Sequence, residues 1–191
     1  MPNLYILAGC NGAGKTTAAY TILPEVIHIK QFVNADEIAR GLSPFEPEAV
    51  AFEAGRIMLQ RIDHLIEKGT DFAFETTLST RSYVQTIKRA NQRGYTVTLF
   101  YVWLESVEMA KERVAIRVAK GGHNIPPDVI VRRYQRSVKN LLTLYIPICD
   151  YFSIIDNSSY KPEYIAQGGI DMRMSVFNSK SWDVIKKYER A

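Results

Sequence analysis

Short apolar runs that stop at glycine or acidic residues alternate along this chain with longer stretches in which apolar residues recur every three to four positions. The short runs read as strands buried on both faces. They are Leu4-Tyr5-Ile6-Leu7-Ala8, Gln31 to Ala35 ending at Asp36, Phe72-Ala73-Phe74 ending at Glu75, Thr96 to Trp103, and Phe152 to Ile155. The periodic stretches read as helices: Thr16 to Leu23 stopped by Pro24, about 46–68, Thr80 to Arg93 ended by Gly94, then about 106–120 and 127–144. In the long second helix, Val50, Ala54, Ile57, Met58, Ile62 and Leu65 share a face, and Gly69 suits the C-terminal cap. Glu163 to Phe177 reads as a hairpin turning at Gly168-Gly169, and Ser181 to Arg190 as a last helix. Strand-helix alternation of this kind predicts an α/β three-layer sandwich around a parallel five-stranded sheet. No linker, repeat or low-complexity segment divides it, so residues 1–191 read as a single domain.

Composition narrows the function classes. Hydrophobic residues make up 47% and charged residues 23% of the 191 positions, which is globular rather than disordered. No apolar run approaches the ~18 residues of a membrane span. The net charge of +4 suits an anionic small ligand, while a nucleic-acid partner is not expected from so modest a charge. Cys10 and Cys149 form neither a metal spacing nor a disulfide framework, which fits a reducing, cytoplasmic setting. Leu7-Ala8-Gly9-Cys10 mimics a lipid-attachment site, but no basic segment precedes it and only four apolar residues lead into the small ones.

Gly9-Cys10-Asn11-Gly12-Ala13-Gly14-Lys15-Thr16 satisfies the G-x-x-x-x-G-K-[ST] phosphate loop, with an apolar strand before it and a helix after it. The glycines let backbone N–H groups close on phosphates, and the helix start adds its positive dipole end. Lys15 is aimed at the β- and γ-phosphates of ATP, the Thr16 hydroxyl at Mg²⁺, and Thr17 completes the nucleotide-binding segment. No Asn-Lys-x-Asp base reader, Leu-Ser-Gly-Gly signature or strand ending in Asp-Glu accompanies the loop. A compact P-loop kinase fits best. Two alternatives stay open: an NTP-binding regulatory switch, and a kinase acting on nucleic-acid ends or nucleosides.

The remaining candidates lie at strand ends and in an Arg-rich lid spanning about 106–144. Asp36 is read as the base that orients an acceptor hydroxyl, with an N-cap role as its alternative. Glu75 is read as a ligand for substrate hydroxyls or a metal-bound water. Thr77 and Ser79, backed by a helix N-terminus, are candidates for an anionic part of the acceptor, or for β-propensity and capping alone. Arg117 and Arg133 flank Gly121-Gly122 and read as a phosphate clamp, whereas Arg132 and Arg136 read as solvated surface. His123 reads as a hinge or packing residue.

These residues resemble the zeta toxin family of small, adenylate-kinase-like P-loop kinases over roughly Leu4 to Asn157. The resemblance rests on the phosphate loop, Phe32 to Pro44 (FVNADEIARGLSP), Phe74 to Ser79 (FETTLS), Arg117 to Tyr134 (RVAKGGHNIPPDVIVRRY), and Tyr151 with Asp156-Asn157-Ser158. It implies a kinase that phosphorylates the sugar 3′-hydroxyl of UDP-N-acetylglucosamine. Lys15 and Thr16 would hold ATP and Mg²⁺, and Asp36 would be the base. Glu75 and Thr77 would contact the sugar nucleotide, and Arg117 and Arg133 would clamp phosphates; Arg40 is a further substrate-binding candidate. A small antitoxin protein is the partner such systems imply.

Overall fold

The computed structural model describes residues 1–25, 27–122 and 124–189. Five strands run parallel: β1 (Asn3–Gly9), β2 (Phe32–Val33), β3 (Phe72–Thr76), β4 (Thr96–Trp103) and β5 (Tyr151–Asp156). Two more, β6 (Glu163–Gly169) and β7 (Met172–Val176), add an antiparallel hairpin beside β5. The sheet is therefore seven-stranded, in the order β2-β3-β1-β4-β5-β6-β7. The five-stranded expectation holds for the parallel part. It falls short because the hairpin pairs with β5 instead of standing apart from the sheet. Its turn lies at Ile170-Asp171, just past the Gly168-Gly169 position.

Helices alternate with the strands: α1 (Lys15–Glu25), α2 (Ala35–Leu42), α3 (Ala51–Glu67), α4 (Ser82–Gln92), α5 (Val107–Ala119), α6 (Pro127–Asn140) and α7 (Ser179–Lys186). The period-2 pleat sends Leu4 and Ile6 of β1, with Phe72 and Phe74 of β3, into a large core that includes Met58, Ile62, Ile87 and Val138. Leu7 and Ala73 enter a smaller core with Ala19 and Leu23 of α1. Leu4, Ile6, Phe72 and Phe74 are fully buried, and each such side chain contributes about 1.5–3 kcal/mol by leaving water.

Several expected elements differ: Pro24, expected to stop the first helix, lies inside α1, and the helix expected over about 127–144 gives way to a π turn at Leu141–Tyr145. The second strand shrinks to Phe32–Val33, because the Asn34 side chain accepts from the Asp36 N–H and caps α2 at once. The helix expected over about 46–68 opens as a 3-10 turn, Pro47–Val50, before α3 begins. Gly69, at φ +62°, ends α3 as foreseen. All five parallel strands point their C-terminal ends toward the same rim, where α/β sheets bind ligands.

Candidate active site

The phosphate loop closes at that rim, and its glycines are required by contact as well as by conformation. At Gly9 (φ +144°) a Cβ would lie 2.2 Å from the Val102 carbonyl oxygen, and at Gly14 (φ +90°) 2.8 Å from Asn157 Nδ2. Asn157 Nδ2 donates to the Ala13 carbonyl at 2.8 Å and ties β5 to the loop. Asn11, Gly12, Gly14, Lys15, Thr16 and Thr17 line the cleft. Gly9, Cys10 and Ala13 form the back of the loop. Burial pushes the Cys10 thiol up to about 11 despite the opposing pull of the Lys15 charge.

Glu75 joins the loop to β2. Its Oε2 accepts from Thr16 Oγ1 at 2.8 Å and from Asn34 Nδ2 at 2.9 Å, and its Oε1 lies 3.5 Å from Lys15 Nζ. Lys15 also donates to the Cys10 carbonyl at 3.1 Å, and both charged side chains are over nine-tenths buried. The parallel register that sets Leu7 beside Glu75 brings the carboxylate to the phosphate loop. Thr16 and Glu75 together present the oxygen donors that suit Mg²⁺ beside nucleotide phosphates. Asn34 is the residue that the sequence reading passed over. Its signal was legible: an Asn directly before a helix whose first turn carries Asp36 and Glu37.

Asp36 stands in the first turn of α2 with its side chain exposed, and Asn34, not Asp36, is the helix cap. The cleft around it has two lobes of about 470 and 500 Å³. They share Thr16, Asn34, Ala35, Asp36, Ala51 and Arg117, so Asp36 forms part of their common wall. Glu75, Thr77, Ser79, Arg113, Arg117 and Arg133 line the first lobe. Arg40 lines the second and pairs with Glu37 at 3.1 Å.

The Thr77 and Ser79 hydroxyls bond each other at 2.8 Å. The helix behind them begins only at Ser82, so its N-terminus lies three residues past Ser79. Between them Leu78 is fully buried at φ +55°, a costly conformation for a non-glycine residue. Asn140 Nδ2 fixes it by donating to the Leu78 carbonyl at 2.7 Å, and Tyr145 donates to the Thr80 carbonyl at 2.6 Å.

On the lid helices Arg133 is half-buried against the cleft while Arg132 and Arg136 face solvent. Arg113, one turn before Arg117 on α5, also enters the first lobe and donates to the Ser158 carbonyl at 3.2 Å. Gly122 sits so close to α5 that a Cβ would lie 2.9 Å from the Arg117 carbonyl oxygen. His123 lies outside the described residues. Among the described residues no helix is long and apolar enough to cross a membrane.

A phosphate loop on a mostly parallel sheet, with a two-lobed cleft and arginines opposite, defines a kinase-like P-loop fold. The zeta toxin family model matches residues 1–159, and the chain belongs to that family. An uncharacterised protein of Haemophilus influenzae is 32% identical over 126 residues, 66% of this chain and 88% of that protein. Among solved structures, the AvrRxo1-ORF1:AvrRxo1-ORF2 complex with sulphate ions aligns at a TM-score of 0.78 and 19% identity over 97% of this chain. This chain spans 63% of that one, under two thirds of its length. The PezAT toxin-antitoxin system of Streptococcus pneumoniae aligns at a TM-score of 0.68 and 18% identity, covering all of this chain and 86% of that one. At such identities the structural likeness speaks for the fold alone.

Proposed function

We propose that this protein transfers the γ-phosphoryl group of ATP to a hydroxyl of a nucleotide sugar, with UDP-N-acetylglucosamine as the acceptor. The observation that carries the reading is the position of Asp36 on the wall shared by the two lobes, beside Thr16 of the phosphate loop. A donor held by the loop and an acceptor entering from the other side would meet there.

Lys15 and the loop N–H groups bind the β- and γ-phosphates, and Thr16 with Glu75 would hold Mg²⁺, which supplies charge neutralisation when bound. Asp36 accepts the proton of the acceptor hydroxyl as its oxygen bonds to the γ-phosphorus. The bond from that phosphorus to the β–γ bridging oxygen breaks, and ADP leaves. Arg117 and Arg133 stabilise the charge on the transferring group. Glu75 accepts from sugar hydroxyls, Thr77 and Ser79 donate to the anionic diphosphate, and Arg40 is a further substrate-binding residue. The cations of the first lobe (Lys15, Arg113, Arg117, Arg133) outnumber its carboxylates (Asp36, Glu75), which favours such anionic ligands. A small antitoxin partner is part of the same reading, supported by the toxin-antitoxin pairing of the PezAT relative. Mass spectrometry of the protein with ATP, Mg²⁺ and UDP-N-acetylglucosamine tests it. The reading predicts one added phosphoryl group on the sugar nucleotide; ADP alone, formed at the same rate without the sugar nucleotide, would overturn this acceptor.

A further inference from the structure

We propose that Asn140 and Tyr145 are positioning residues: they hold the turn that carries the Thr77 and Ser79 hydroxyls in a conformation it would not keep alone. This rests on the kinase reading above and extends it to two side chains that line neither lobe of the cleft.

Leu78 stands between the two hydroxyl residues, fully buried and at φ +55°, in the left-handed region that bulky side chains rarely enter. The bonds inside the turn are the longer ones. The Leu78 N–H donates to Thr76 Oγ1 at 3.1 Å, and the Ser79 N–H to Thr77 Oγ1 at 3.4 Å. The short ones come from far along the chain: Asn140 Nδ2 donates to the Leu78 carbonyl at 2.7 Å, and the Tyr145 hydroxyl to the Thr80 carbonyl at 2.6 Å. Backbone in so unfavourable a conformation persists only where its surroundings over-determine it.

The end of α6 is shaped to deliver both donors. In a continuous α-helix, residues five apart point about 140° away from each other around the axis. The π turn Leu141–Tyr145, where the Ile146 N–H donates to the Leu141 carbonyl, widens the helix at this point. Bonding from one residue to the fifth beyond it brings Asn140 and Tyr145 back toward one side, and they reach carbonyls two residues apart. The same helix carries Arg133 about two turns before Asn140. One rigid element therefore presents the phosphate clamp and braces the acceptor turn, and Thr77, Ser79 and Arg133 all line the first lobe. The two hydroxyls lie 2.8 Å apart, close enough to address one anionic group together. Displacing such a pair by about 1 Å can cost on the order of 10²-fold in rate.

Three variants test the role. Asn140→Ala removes one donor. Tyr145→Phe keeps the ring in its packing and removes only the other donor, so it answers should Asn140→Ala fold poorly. Ser137→Ala is the control: it breaks a 2.8 Å bond to the Tyr101 hydroxyl, fully buried on α6 one turn before Asn140, and that bond leads to β4 instead of the turn. Amide hydrogen exchange read by NMR should quicken about tenfold or more at Leu78 and Ser79 in the first two variants and stay at the wild-type rate in Ser137→Ala. With ATP saturating, kcat/KM for UDP-N-acetylglucosamine should fall about tenfold or more in the first two, with unchanged affinity for a non-hydrolysable ATP analogue. Ser137→Ala should keep the wild-type kcat/KM. Unchanged exchange in the turn, or a loss of kcat/KM in Ser137→Ala as large as theirs, would overturn the positioning role. Faster exchange with kcat/KM unchanged would also overturn it and leave the kinase reading standing. No transfer by the wild-type protein, with exchange in the turn still quickened in the two variants, would do the reverse.

Discussion

Replacing Glu75 by alanine should destabilise the protein by about 3 kcal/mol, the lower end of the cost of breaking a buried ion pair. The size follows from what the carboxylate holds. It accepts from Thr16 and Asn34 at 2.8 and 2.9 Å, and stands 3.5 Å from the Lys15 ammonium, with both charges over nine-tenths buried. Without it Lys15 keeps the Cys10 carbonyl as its partner, and the Asn34 amide loses its acceptor. The lower end applies because 3.5 Å is long for an ion pair. For a domain of this size the loss lowers the melting temperature by roughly 6–12 °C. Urea unfolding with an unchanged slope is the assay. In a Lys15→Met background the same Glu75→Ala change should cost distinctly less, because no buried cation is left unpaired. A cost under about 1 kcal/mol, or equal costs in the two backgrounds, would refute the idea that Glu75 organises the loop.

Lys15→Ala should abolish tight ATP binding and transfer, and undiminished turnover would contradict the role given to the phosphate loop. Asp36→Asn should lower kcat by about 10²-fold or more while ATP affinity stays close to wild type; a collapse of ATP affinity with turnover preserved at saturation would assign Asp36 to the nucleotide instead. Arg133→Ala should slow transfer strongly and Arg132→Ala little, because Arg133 lines the cleft and Arg132 faces solvent; equal losses in steady-state rates would contradict the clamp. Burial raises Cys10 from its ordinary 9.0 to about 11 and Cys149 to about 12. A folded-state pKa above the unfolded one means stability that is complete below pH ~9 and lost as pH rises through that window. Melting temperature should therefore fall progressively above pH ~9, and a flat profile up to pH ~11 would contradict it.

The apolar runs that became β1, β3 and β4 were legible because parallel strands buried on both faces need continuous hydrophobic sequence. The phosphate loop was legible for a similar reason: its backbone geometry admits few residue types. What stayed hidden depends on contacts distant in sequence. Nothing local in Glu163 to Val176 says that β6 will pair with β5, since that pairing joins Ile154 to Ala166 across the sheet. Glu75 read as a ligand for substrate hydroxyls or a metal-bound water, from its place at a strand end. Its contacts with Lys15 and Thr16, which the β1–β3 register sets up, were not legible. The strained Leu78 was equally invisible, being held by Asn140, 62 residues away. The helical phasing that separated Arg133 from Arg132 could be read early, because Ile130, Tyr134 and Val138 already marked the buried stripe of α6.

The central claim is that Asp36 lies where a donor held by the phosphate loop meets an acceptor hydroxyl. Its most direct test is a single-turnover experiment with γ-labelled ATP, Mg²⁺ and UDP-N-acetylglucosamine, comparing wild-type protein with Asp36→Asn. The account predicts label on the sugar nucleotide with the wild type, and a rate lower by about 10²-fold in the variant at equal ATP occupancy. Label that stays in ATP or appears as free phosphate whether or not the sugar nucleotide is present, or transfer at the same rate by both proteins, would contradict it.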